Sequence, residues 1–443
     1  MAGSATRELI VYLRAEACGR LERAEELGYR FSYDSAWLDA HPNELLSMSL
    51  PRQEAPFEAA TTKPFFRGLL PEGRRRERLE GRYRLKEGDD FGLLAEIGGD
   101  CAGAIALLMP DEDPIILDSA AGPEPIEIDP PALIQNLRGS TDANLGRRKG
   151  KRRLSLAGAQ PKEGVWVVAG DDPATARLFL PQGSAASTHI LKPVLNNEFA
   201  GIAANEAFCM LLAGRFGLRV PRVAVRQLDG VDCLIVERFD RERRDGHVHR
   251  LHQEDFCQAL GALEKYQEDD GPGLRQIGEL VRRLSVPAKD MEHLLRALLF
   301  NYLIANADAH AKNYALLHLA GGRREMAPLY DLVSTEAFDV ARELALHFGD
   351  QANPEALTLS DLERAAADLR IRPTFVADRA EALARTIIPE AVKLRRDAPF
   401  RARVKPVIDA IRRRVQRISD VYELGIDHQA EPRVEGRAGG WIG

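Results

Sequence analysis

Three hydrophobic rhythms divide the chain. Between residues 8 and 107, short apolar runs ("ELIVYLR", "YRFSYD", "GAIALLM") alternate with turns rich in Gly and Pro, which predicts a compact α+β unit. A Pro-rich acidic stretch follows, "PDEDPIILDSAAGPEPIEIDPPALI", and reads as a linker. From about 153 to 240 the runs "GVWVVAG", "ARLFLP", "HILKPV", "VAVRQL" and "DCLIVERF" have strand character. They are interrupted by one helical segment, "NEFAGIAANEAFCMLLAGRFGL", with Gly217 placed as its C-terminal stop. Beyond about 250 apolar residues recur at three- and four-residue steps, in "DMEHLLRALLFNYLIA", "LSDLERAAADL", "DRAEALARTI" and "VKPVIDAIRRRVQRI". The expected layout is an N-terminal module (1–110), a linker (111–130), a sheet-containing lobe (131–245), a helical lobe (246–425) and a loose tail (426–443).

Composition narrows the classes. With 443 residues, 45% hydrophobic and 29% charged, the chain has the makeup of a globular protein of two or three domains. No run reaches the roughly 18–20 apolar residues of a membrane span; the longest, 294–305, is interrupted by Arg296. No signal-peptide pattern opens the sequence, and the five cysteines are scattered without CxxC pairs, so a reducing, cytoplasmic location and no structural zinc are expected. A net charge of -6 offers no general attraction to nucleic acid. The dense basic run "GRRKGKRR" (146–153) is the local exception, readable as a solvated loop.

The chemistry concentrates in a few stretches. "NADAHAKNY" (306–314) separates Asp308 from Asn313 by the spacing that protein kinases use for a catalytic base and a metal-binding amide. Taken alone the pair could be a helix cap and a turn residue. "MAPLYDLVST" then places Asp331 after an apolar, strand-like run, where a second oxygen ligand for Mg²⁺ belongs. Upstream, "LSLAGAQPK" (154–162) carries small residues at 155, 157, 158 and 159 that let backbone N–H groups approach a phosphate, or simply form a hairpin turn. Lys192 ends a β-type run, and Glu206, less readily Glu198, is the carboxylate that would fix it. "CLIVERFDR" presents Glu237, Arg238 and Phe239 at a strand end, suited to an adenine-binding hinge or to a plain ion pair. His310 is read as support for its loop, and neither it nor His318 as part of a zinc site. Candidate ATP contacts are Ala157, Gly158, Ala159, Gln160, Lys192, Glu237, Phe239, His310 and Lys312.

The stretches "SLAGAQPK", "THILKP", "NEAFCMLLAGRFGL", "VERFDR", "RLHQEDFCQALG", "KYQEDDGPG", "DAHAKNY" and "PLYDLVS" resemble the HipA family of serine/threonine kinase toxins. "FFRGLLPEG" and "GDDFGLLAEIGGDCAGAI" resemble that family's N-terminal domain. The resemblance implies an α+β, two-lobed protein-kinase-like fold with an accessory N-terminal α/β subdomain and an all-helical C-terminal lobe. It implies ATP and Mg²⁺ as cofactors, Asp308 as catalytic base, Asn313 and Asp331 as metal ligands, Lys192 on the phosphates, and Glu237 and Phe239 at the adenine. Ser155 stands where family members autophosphorylate and switch themselves off. The implied partners are a HipB-like helix-turn-helix antitoxin, operator DNA only through that antitoxin, and a protein substrate for which glutamate–tRNA ligase is the leading expectation. The rival readings are a catalytically weak co-repressor and a kinase with another substrate.

Overall fold

A computed structural model describes residues 7–24, 27–112, 126–138, 155, 158, 160–168, 170–181, 185–244, 247–397 and 400–429. The basic run at 146–153, most of the expected linker and residues Ala157 and Ala159 lie outside the described residues.

The chain begins with a four-stranded antiparallel sheet. Its strands are β1 (Glu8–Leu13), β2 (Glu16–Arg23), β3 (Tyr29–Tyr33) and β4 (Ile105–Leu108), in the order β3-β2-β1-β4. In β1 every second residue, Leu9, Val11 and Leu13, is buried, as period-two alternation requires of a sheet covered on one face. The covering layer is α1 (Ser35–Ala40), α2 (Ala59–Gly68), α3 (Gly73–Tyr83) and α4 (Asp90–Ile97), with Phe31, Phe57, Phe65, Phe66 and Phe91 closing a separate core. β2 was not legible as a strand, because "EACGRLER" is half polar and pairs through its backbone.

The second sheet has six strands: β5 (Ile126–Glu127), β6 (Glu163–Val167), β7 (Leu178–Leu180), β8 (His189–Pro193), β9 (Val223–Leu228) and β10 (Val231–Glu237), ordered β5-β7-β6-β8-β10-β9. Residues 126 and 127, expected in the linker, instead pair with β7 as an edge strand. α5 (Pro130–Arg138) follows that edge strand, and α6 (Ile202–Arg215) connects β8 to β9. The α6 helix starts later than its apolar pattern suggests, since Gly201 at φ 88° interrupts the backbone before Ile202. Gly217, at φ 67°, follows its C-terminus in the left-handed geometry that glycine tolerates.

A two-stranded ribbon, β11 (Arg241–Arg244) with β12 (His247–Arg250), leads into the C-terminal lobe. This lobe is predominantly helical but not wholly so. It contains a three-stranded sheet of β13 (His252–Asp255), β14 (Ala315–His318) and β15 (Arg324–Met326), whose three- and four-residue strands are too short to show a period. Its helices are α7 (Phe256–Leu260), α8 (Leu274–Val281), α9 (Pro287–Leu303), α10 (Leu359–Asp368), α11 (Pro373–Arg395) and α12 (Lys405–Val421). The "DRAEALARTI" pattern is only the middle of the 23-residue α11. One core joins α6 to this bundle, and α9 is its axis, with Leu294, Leu295, Leu298, Leu299 and Leu303 all buried. Truncating Leu299 to Ala there would cost about 2–5 kcal/mol. No described helix is long and apolar enough to cross a membrane.

Candidate active site

α9 delivers the polar loop that its apolar sequence leads up to. The helix ends at Leu303, and Ala305 takes a left-handed turn at φ 56°. Asn306 secures that turn by donating from Nδ2 to Asn301 Oδ1 at 2.8 Å. Thr335 holds both sides of it, with its N–H on Ala305 O and its Oγ1 accepting from Ala307 N at 2.9 Å. The next residue is Asp308, whose Oδ1 accepts from the Tyr266 hydroxyl at 2.8 Å. Asn313 donates from Nδ2 to Asp308 O at 3.0 Å, which folds the five-residue span back on itself and fixes the orientation of the Asn313 amide. His310 lies between them, edge-on to Tyr266 with ring centroids 5.2 Å apart. Burial keeps the imidazole below its ordinary range, although the Asp308 and Asp331 charges both favour the protonated form. Asn306 also donates from Nδ2 to Asp331 O at 3.4 Å, which brings the loop and the Asp331 segment together.

Facing this loop is a buried ammonium. Lys192 in β8 donates to Glu206 Oε1 of α6 at 2.7 Å and to Asp331 Oδ1 at 2.8 Å. Burial works against its charge, but the two carboxylates outweigh it and hold the amine above its usual range. Glu206 stays above its ordinary range because burial outweighs the neighbouring ammonium, whereas Asp331 is held below its range, burial being outweighed by Lys192 and then Lys162. Glu206 and Asp331 are brought together by their chain neighbours. The Asn205 amide donates to Ser334 O at 3.0 Å and accepts from Ser334 N at 2.8 Å, pinning α6 to the segment after Asp331. Asp331 is not at a strand end; it lies five residues beyond β15, in a left-handed conformation at φ 57°. Glu198 is exposed and hydrogen-bonds Asn196 instead of Lys192.

The small-residue stretch forms a third wall. Gly158 has φ 97°, a conformation that disfavours side chains, and a Cβ there would come within 2.8 Å of Lys162 Nζ. Burial, with Lys192 nearby, brings the Lys162 amine down to about 8, while Asp331 opposes that shift. Ser155 is fully buried: its Oγ donates to Leu69 O at 2.6 Å and its N–H to Asp100 O at 3.0 Å. Gly158 bridges Pro71, and its carbonyl accepts from Glu72 N at 3.3 Å. The N-terminal unit therefore cradles this stretch through Leu69, Pro71, Glu72 and Asp100.

Strand β10 ends at Glu237, and Phe239 just beyond it stacks on Tyr330 at 5.6 Å. Tyr330 in turn donates from its hydroxyl to Lys312 O at 2.7 Å. Arg238 points the other way. With Arg241 and Arg250 it surrounds Asp100 and Asp240, all of them buried, and Gly103 N donates to Asp240 Oδ2 at 2.7 Å. Burial acts against ionisation of Asp100, but the three guanidiniums hold its carboxyl well below the carboxylate range. A buried charge network of this kind resists separation, because stripping a partner leaves a buried charge unpaired. It fixes the N-terminal sheet to the hinge.

A model of the HipA-like C-terminal domain matches residues 154–393, and one of the HipA N-terminal domain matches residues 9–108. The chain belongs to the HipA family. It is 40% identical over 362 residues to a Sinorhizobium fredii protein named as a candidate kinase, Y4mE, covering 81% of this chain and 83% of that one. It is 30% identical to the serine/threonine-protein kinase toxin HipA of Shewanella oneidensis over 344 residues, 74% of this chain and 76% of the toxin. The solved complex of a Shewanella oneidensis HipA with HipB and operator DNA has the same fold, with a TM-score of 0.75 at 24% identity over 94% of this chain and 100% of that one.

Of the residues anticipated from sequence, Asp308, His310, Lys312 and Asn313 share one loop, and Lys192, Glu206 and Asp331 form one hydrogen-bonded group. Gly158 lies beside Lys162, and Phe239 reaches the site through Tyr330. Gln160 is half-buried on the same stretch, and Glu237 is a partly exposed strand terminus. The sequence reading missed four contributors to this HipA-family site: Lys162, Glu72, Tyr266 and Tyr330. All four stood inside stretches quoted from the sequence, Glu72 in "FFRGLLPEG" and Tyr266 in "KYQEDDGPG", but only the tertiary fold sets Glu72 and Tyr266 against the loop.

Proposed function

We propose that this chain is an ATP- and Mg²⁺-dependent serine/threonine kinase acting as the toxin of a toxin–antitoxin module. The observation that carries the reading is the buried Lys192, held by Glu206 on one side and Asp331 on the other, opposite the Asp308–Asn313 loop. A strand lysine, a helix carboxylate and a metal-type aspartate are the parts that phosphoryl transfer from ATP uses. Asn313 and Asp331 offer the hard oxygen donors that Mg²⁺ takes together with nucleotide phosphates. When bound, the ion would neutralise charge on the phosphates. Lys192 and Lys162 would hold the phosphate oxygens. Phe239, backed by Tyr330, would flank the adenine at the end of β10.

In the transfer step the acceptor hydroxyl oxygen forms a bond to the γ-phosphorus while the bond from that phosphorus to the β–γ bridging oxygen breaks, releasing ADP. Asp308 takes the hydroxyl proton, and Tyr266 orients its carboxylate. Ser155 is the proposed autophosphorylation site. Its hydroxyl occupies a buried seat on Leu69 O, so a phosphate there, bringing a charge of about −2, requires the loop to leave that seat. Departure of Gly158 and Lys162 with the loop would dismantle the phosphate cradle. A HipB-like antitoxin is the proposed partner, supported by the HipA–HipB–DNA assembly that shares this fold. Glutamate–tRNA ligase, taken from the family resemblance, is the proposed substrate.

The test is transfer of γ-labelled phosphate in the presence of Mg²⁺. Label is expected on Ser155 of the wild type and absent from both Asp308→Gln and Ser155→Ala. A wild type that binds no nucleotide and takes no label would favour a co-repressor without catalysis.

A further inference from the structure

We infer that Glu72, contributed by the N-terminal unit, is a positioning residue of the proposed phosphotransfer site, setting the catalytic loop against the phosphate loop. The inference rests on the kinase reading above and extends it to a residue outside both kinase lobes.

Glu72 occupies the N-cap of α3, yet among the described residues its side chain makes no capping bond to that helix. Its carboxylate crosses into the C-terminal lobe and accepts from Lys312 Nζ at 2.5 Å and from Lys265 Nζ at 3.0 Å. Lys312 stands between Asp308 and Asn313. Lys265 also holds that loop, since its carbonyl accepts from Ala311 N at 3.4 Å. Meanwhile the Glu72 backbone N–H donates to Gly158 O at 3.3 Å. One residue thus touches the catalytic loop with its side chain and the phosphate loop with its backbone.

Simple docking of the N-terminal unit does not account for this placement. That role is already filled by the buried network around Asp100, and by Glu254, which accepts from Ser47 Oγ and from Met48 N at 3.0 Å. Both of those are buried, whereas Glu72, Lys265 and Lys312 remain partly solvent-accessible. A partly solvated pair adds little to stability, but a carboxylate gripping two lysines restricts where the loop between them can sit. Transfer rates respond steeply to such placement, because a shift of about 1 Å in a reacting group can cost about a hundredfold.

The test compares wild type, Glu72→Gln and Glu72→Asp in the full-length protein. Label transfer gives kcat, calorimetric titration gives the ATP dissociation constant, and hydrogen exchange is followed over residues 305–315. Glu72→Gln is expected to lower kcat by roughly tenfold or more, to leave ATP affinity within about threefold, and to speed exchange in the loop. Glu72→Asp, still charged, should recover part of the rate. Unchanged kcat with unchanged exchange would overturn the inference. So would a fall in rate matched by equal losses of ATP affinity and thermal stability, which would mark mere docking. If even the wild type transfers no label, the kinase reading fails separately. The exchange comparison then still decides Glu72: a loosened loop supports positioning, and a wild-type pattern refutes it.

Discussion

Replacing Lys192 by Met removes the ammonium that is hydrogen-bonded to both Glu206 and Asp331 while keeping the side chain's length and apolar stem. Breaking a buried ion pair from one side costs about 3–5 kcal/mol. Here that figure needs a discount, because the Asp331 side chain is 38% exposed and can be hydrated, whereas Glu206 is 2% exposed and cannot. The expected loss is therefore about 2–3 kcal/mol, or roughly 4–12 °C in the melting temperature of a unit this size. Glu206 supplies an internal check. Its folded-state pKa is already raised by burial and rises further without Lys192. A group of that kind destabilises progressively as pH increases past its unfolded value, so the deficit of Lys192→Met should be small near pH 4 and grow toward neutrality. The double variant Lys192→Met/Glu206→Leu, which removes the stranded carboxylate, should recover at least half of the loss. Thermal unfolding of the three proteins at two pH values measures all of this. A single variant as stable as wild type at pH 7, or a double variant worse than the single, would refute the reasoning.

Four further outcomes follow from the structure. Burial pushes Glu254 up to about 7, although its bonds from Ser47 and Met48 oppose the shift. Its stabilising contribution is therefore complete below about pH 4.5 and is lost as pH rises through 7, so the change in urea midpoint between pH 5 and pH 8 should differ between wild type and Glu254→Gln in that sense; identical changes would disprove it. Ser155→Ala should cost about 1 kcal/mol through its lost bond to Leu69 O. Ser155→Asp should instead open the Glu72 N–H, which donates to Gly158 O, to rapid hydrogen exchange, and a protected Glu72 amide in that variant would contradict the proposed ejection. Gly158→Ala must hold a side chain at φ 97° against Lys162, a strain of about 1–3 kcal/mol, which should appear in calorimetry as ATP binding weakened by roughly tenfold or more.

The sheet-bearing and helical regions were legible in the sequence because their apolar runs are long enough to carry a period, and the Asp308–Asn313 spacing was legible because it is local. Short strands were not. β13 owes its existence to backbone pairing with β14 across 60–66 residues of chain, which no local pattern records, and β14 pairs with β15 as a hairpin whose strands are too short to show a period. Lys192 could be paired with Glu206 from sequence, since they lie only 14 residues apart, one on β8 and the other on the following helix α6. Its second partner could be anticipated only as a metal ligand; the direct Lys192–Asp331 contact needed coordinates. The same holds for Arg238. Its side chain is committed to Asp100 and Asp240 of the buried network, leaving Phe239 on the opposite face of the hinge to meet Tyr330. Glu72 stood within a quoted stretch, yet its contact with the catalytic loop was not legible for a different reason: its lysine partners lie 193 and 240 residues away, in another unit of the fold.

The most direct measurement is a crystal structure with Mg²⁺ and a non-hydrolysable ATP analogue. The expected result has Lys192 and Lys162 on the phosphates, Asn313 and Asp331 on the ion, Phe239 beside the adenine, and Asp308 facing the terminal phosphate. A nucleotide bound elsewhere, with the Lys192–Asp331 pair still closed, would contradict it.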